Sequence, residues 1–127
     1  MEERPVYLDL TKIRLPMSAF SSITHRLSGM YAFFITLPVI LYLIYFSTSS
    51  KSNYDVLVSK ISSFSFFSIF VCLSLLILWY HVLTGVRHLI MDFFHIGESL
   101  NGANNSAIFV IVFWLISSLL SLFYIYI

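Results

Sequence analysis

Three stretches of the chain contain no Lys, Arg, Asp or Glu: Leu27 to Ser50, Ile61 to Val86 and Ser99 to Ile127. A hydrocarbon core about 30 Å thick is crossed by roughly 20 apolar residues of helix, so each stretch is long enough to span it. In lipid every backbone N–H and C=O needs a partner within the protein, which leaves helices and closed barrels. Runs such as Ala107 to Ile127 lack the apolar/polar alternation of a barrel strand. The fold class expected is therefore an all-α membrane protein with three transmembrane helices.

The expected layout is one membrane domain over 1–127: an N-terminal segment 1–15, then helices at about 16–48, 60–90 and 104–127. The stretches Ser50–Lys60 and Gly97–Ser106 read as short connectors, and Pro38 is expected to kink the first helix. With 59% hydrophobic and 10% charged residues, the chain has too little polar surface for a water-soluble globule of this size. A net charge of +1 and the absence of a basic stripe argue against a nucleic-acid partner. The single cysteine, Cys72, lies in the second apolar run and reads as packing.

Orientation follows the cations that flank the spans. Arg4, Lys12, Arg14 and Arg26 precede the first apolar run and Arg87 follows the second, whereas Lys51 and Lys60 lie between the two. The N-terminus is thus expected on the cytoplasmic or matrix side. The opening residues, with Glu2, Glu3 and Asp9, resemble neither a cleavable signal nor an acid-poor transit peptide. That pattern suits a bacterial or organelle-encoded chain, or one already processed.

With this topology the second helix returns to the N-terminal side, and its last turns lie level with the start of the first. Ser18, Ser22, His25 and Gly29 fall on one helical stripe beside Arg26, while His81, Gly85, Arg87 and His88 follow helical spacing in the second helix. An ionisable ring within a span is costly and marks a functional site by default. A neutral imidazole there suits a metal, and a haem iron above all. Gly85 would let a flat group lie close, and His88, about 10 Å nearer the interface at ~1.5 Å per residue, suits haem propionates. Taken singly, Arg26 and Arg87 also read as interfacial anchors that extend to headgroups. One histidine well inside a span supplies half a haem site, so the sixth ligand is expected from another polypeptide.

Three segments carry a resemblance: RPVYLDLTKIRLP at Arg4–Pro16, SSITHRLSG at Ser21–Gly29 and HVLTGVRHLIMD at His81–Asp92. Together they resemble the cytochrome b large anchor subunit of succinate dehydrogenase, respiratory complex II, over nearly the whole chain. The resemblance implies a helix bundle formed with a small membrane anchor subunit. It implies one haem b shared between the two, and a ubiquinone-reducing site built against an iron–sulfur subunit, with flavin and iron–sulfur clusters on partner subunits including a flavoprotein. By motif position His81 matches the axial iron ligand. His25, Arg26 and His88 match residues around the propionates, Ser22, Ile23 and Arg26 match the quinone site, and Asp92 and Glu98 match candidate proton suppliers. The setting implied is the bacterial cytoplasmic membrane, or the mitochondrial inner membrane for an organelle-encoded chain. A rival reading is a haem-free anchor or small transporter subunit, in which the polar clusters only hold helices together.

Overall fold

The computed structural model describes residues 15–97 and 99–126. The N-terminal segment with Arg4, Lys12 and Arg14, and the candidate proton supplier Glu98, lie outside these residues. The described residues are helical throughout, with short breaks and no strand.

The first span, Met17–Ser49, is continuous but not uniform. It comprises α1 (Met17–Tyr31), a π-helical turn (Ala32–Thr36) and α2 (Leu37–Ser49). The expected distortion at Pro38 takes the form of this turn. Proline offers no N–H to the carbonyl four residues back and crowds it, so the wider turn just before it relieves both problems. Thr36, buried within the turn, donates its hydroxyl hydrogen to the Ser74 carbonyl at 3.4 Å.

Residues 50–60, expected to be a connector, are largely helical: α3 spans Lys51–Ser62. Its start is fixed locally, since the Ser50 hydroxyl accepts from Asn53 N–H at 3.1 Å and Lys51 pairs with Asp55 at 2.9 Å one turn on. The second span, α4, runs Phe66–Phe94 and so begins six residues later than the expected 60. The break falls at Ser63–Ser65, where Ser65 caps the new helix by accepting from Ser68 N–H at 3.2 Å. Polar composition alone concealed these caps.

The third span, α5, covers Leu100–Tyr126 and absorbs part of the second expected connector. The α4–α5 turn is tight. His95 ends α4 in the left-handed conformation (φ 51°), Gly97 follows at φ 81°, and a β-carbon at Gly102 would lie 2.9 Å from Gly97 Cα.

Among the described residues the interior is small and polar. Eight polar or charged side chains are buried (Ser21, Ser28, Thr36, Ser68, Ser74, Thr84, Arg87, Ser118) against three apolar ones (Val71, Cys72, Ala107). The large apolar side chains face outward, Phe34 and Tyr124 being 72% and 88% exposed. This distribution is what lipid selects. With hydrocarbon outside there is no hydrophobic gain in burying Leu or Phe, so helices associate through small residues and interhelical hydrogen bonds.

Candidate haem and quinone site

Because α4 runs antiparallel to α1, the last turns of α4 stand beside the first turns of α1. Ser18 N–H donates to Asn104 Oδ1 at 3.0 Å, bringing α5 to the same level. Nearly two turns deeper, Thr24 and Tyr80 hydroxyls meet at 2.6 Å, and Tyr31 and Ser74 hydroxyls meet at 3.0 Å further in. Trp114 Nε1–H donates across the bundle to the Leu76 carbonyl at 2.9 Å. These polar contacts fix the register of the three spans.

Three imidazoles gather at this end. The His25 and His81 rings stack with centroids 4.3 Å apart and planes 10° from parallel, and His88 tilts against His25 at 5.2 Å. Among the described residues no group of three or more His, Cys, Asp or Glu side chains converges to hold a bare metal ion. The histidines lie in a row, and His81 stands deepest.

His81 is held with one nitrogen engaged. Its Nδ1 lies 3.2 Å from the His25 carbonyl oxygen and 3.2 Å from Ser28 Oγ. A carbonyl can only accept, so Nδ1 carries the hydrogen and Nε2 keeps the lone pair of the neutral ring. Gly29 makes room for the ring: a β-carbon there would come within 2.8 Å of Cε1. A β-carbon at Gly85 would instead meet His25 Nε2 at 3.4 Å, so the glycine that admits His81 is Gly29 and the one beside His25 is Gly85.

The remaining residues divide by position. Ser22 is half-buried, Ile23 is 46% exposed and Arg26 is exposed, so this face of α1 is not covered by the other described residues. Asp92 is exposed at the end of α4, one turn beyond His88. Arg87 departs from the anchor reading. It is 6% exposed, and its guanidinium donates from Nε to Ser106 Oγ at 3.0 Å and from Nη2 to the Ala103 carbonyl at 2.8 Å. This arginine ties α4 to α5 and does not extend to headgroups.

Sequence reasoning passed over Ser21, Ser28, Thr24 and Tyr80. The hydroxyl stripe Ser21, Thr24, Ser28 and Tyr31, at steps of three and four, was the available signal for the α1 face that packs on α4. A separate cleft of about 420 Å³ between α1, α4 and α5 is walled by Phe20, Leu27, Tyr31, Tyr80 and Trp114. None of the histidines lines it.

The family described as succinate dehydrogenase/fumarate reductase transmembrane subunit matches residues 1–121. The chain is similar to the succinate dehydrogenase cytochrome b556 subunit of Coxiella burnetii, with 36% identity over 90 residues, 71% of each chain. It is also similar to the cytochrome b560 subunit of Chondrus crispus, with 36% identity over 97 residues covering 73% of this chain and 74% of that one. The b560 subunit of Cyanidium caldarium is 34% identical over 94 residues, covering 72% and 71%.

Proposed function

Since the chain belongs to the succinate dehydrogenase/fumarate reductase transmembrane subunit family, we propose that it is the membrane anchor that binds haem b and forms part of the ubiquinone site of succinate:quinone oxidoreductase. The observation that carries the reading is the stack of His25 on His81 where the start of α1 meets the end of α4, with Ser22 and Arg26 within one turn of His25 along α1. Partner subunits take electrons from succinate through flavin and iron–sulfur clusters. This chain performs no succinate chemistry.

The residues present fit a haem iron. His81 offers an Nε2 lone pair on a ring whose other nitrogen is already bonded to a backbone carbonyl, the arrangement that metal-ligating histidines use. Arg26 would hold the propionates by charge, and His25 and His88 by hydrogen bonding. A haem bound here would supply a one-electron store beside the quinone pocket. A second imidazole would come from the small anchor subunit, for which α4 leaves Val82, Val86 and Leu89 outward-facing and uncovered by the other described residues.

On the exposed face of α1, Ser22 and Arg26 lie one turn apart with Ile23 beside them. The hydroxyl orients a quinone carbonyl, and the guanidinium stabilises the negative charge that builds on its oxygen during reduction. Reduction to quinol consumes two electrons and two protons, and Asp92, exposed at the mouth, together with Glu98 relays protons from the aqueous side. The iron–sulfur and flavoprotein subunits cover this end of the bundle, so the protein sits in the bacterial cytoplasmic membrane or the mitochondrial inner membrane with its N-terminal side toward them.

The test is the visible spectrum of the detergent-purified complex. Reduced haem bands are expected, and His81→Ala should abolish or shift them while the subunit still inserts. An unaltered spectrum in His81→Ala would overturn the ligand assignment, and absence of bands from the wild-type complex would favour a haem-free anchor.

A further inference from the structure

Ser28 is buried, 7% exposed, and its hydroxyl touches the side chain of His81 and the backbone of His25. Its hydroxyl hydrogen is already committed: Oγ donates to the His25 carbonyl at 2.7 Å, a back-bond across one turn of α1. What remains on the oxygen is lone-pair density, and His81 Nδ1 stands 3.2 Å from it. The same nitrogen stands 3.2 Å from the His25 carbonyl. Two acceptors from one turn of α1 therefore face a single N–H of α4.

We infer that Ser28 is a positioning residue that sets the tautomer, orientation and electron donation of His81. The inference rests on the haem reading above and extends it to a residue outside the ligand and propionate sets. Its physical basis is the polarity of the Nδ1–H bond. Each acceptor draws that hydrogen away from the ring, makes Nε2 the more basic donor and favours the oxidised, more positive iron. The His25 ring at 4.3 Å and Gly29 flank the ring, so it cannot turn to find another partner at Nδ1 without leaving this slot. Within the membrane there is no water to replace a lost acceptor.

Removing the hydroxyl leaves one acceptor in place of two. In the intact complex, Ser28→Ala should raise the midpoint potential of the haem above the wild-type value with haem content retained. Ser28→Thr, which keeps a hydroxyl able to make the same back-bond, should return the potential toward wild type. The measurement is a redox titration of the reduced haem bands in membranes carrying each variant. An unmoved or lowered potential in Ser28→Ala would overturn the inference, as would an equal shift or equal haem loss in Ser28→Ala and Ser28→Thr, because only packing then matters. Haem loss in Ser28→Ala with recovery in Ser28→Thr supports it. Failure of the parent reading is distinguishable, because the wild-type complex would then have no haem to titrate.

Discussion

Gly29 stands so close to His81 that a β-carbon on it would lie 2.8 Å from the ring's Cε1 and 3.3 Å from Nδ1. A helix-interior glycine in place of alanine ordinarily costs about 1 kcal/mol, so here local helix propensity yields to a contact between helices. Gly29→Ala should therefore displace the His81 ring and reduce haem content, read as the absorbance of the reduced bands per complex. Gly85→Ala, whose β-carbon would meet only His25 Nε2 at 3.4 Å, should lose less. Equal losses would restore the reading in which Gly85 clears space for the cofactor itself.

On the α1 face that the described residues leave open, Ser22→Ala and Arg26→Leu should depress quinone reduction by at least tenfold while electron transfer from succinate to a soluble artificial acceptor is preserved. A tenfold change corresponds to about 1.4 kcal/mol of transition-state stabilisation, close to the lower end of the roughly 1.5–3 kcal/mol expected of one charge-assisted hydrogen bond. Parallel loss in both assays would point to failed assembly instead.

Arg87 predicts a structural phenotype. Its two hydrogen bonds to α5 hold a buried charge, and hydrogen bonds to charged groups contribute roughly 1.5–3 kcal/mol each. Arg87→Ala should lower the thermal midpoint of the purified complex. Arg87→Lys should rescue it poorly, because an ammonium cannot reproduce the forked geometry that reaches Ser106 and Ala103 together. An unchanged midpoint in both variants would contradict this role.

Tyr80 gives a graded case. Tyr80→Phe removes its contact with Thr24, whose hydroxyl still donates to the Phe20 carbonyl at 2.9 Å, so stability should fall by about 1 kcal/mol or less. Tyr80→Ala also removes the edge contact with the Trp114 ring at 5.3 Å and enlarges the neighbouring cleft, so it should be clearly worse. Thermal unfolding of the two variants side by side checks the order.

How much of this was legible beforehand depended on the kind of information each feature needs. The spans followed from charge-free length, and the meeting of the His25 and His81 neighbourhoods followed from antiparallel connectivity, because both are properties of order along the chain. Helix α3 did not follow, since Lys51, Asn53 and Asp55 read equally well as a wet loop until Ser50 is seen capping them. Arg87 was ambiguous because a cation one turn from the helix end expected near residue 90 suits both an anchor and a clamp.

The chain by itself determined that it spans a membrane three times and which polar residues share a level, because the cost of unpaired charge and backbone in hydrocarbon acts on every residue independently. Tertiary structure alone decided the rotation of α4 against α1. That rotation makes Ser28 and the His25 carbonyl, not another pair of groups, the partners of His81 Nδ1, and it sets Gly29 against the ring. The physical reason is that helices in lipid have no hydrophobic face to bury, so their mutual rotation is selected by the fit of small side chains and the pairing of buried polar groups across the interface.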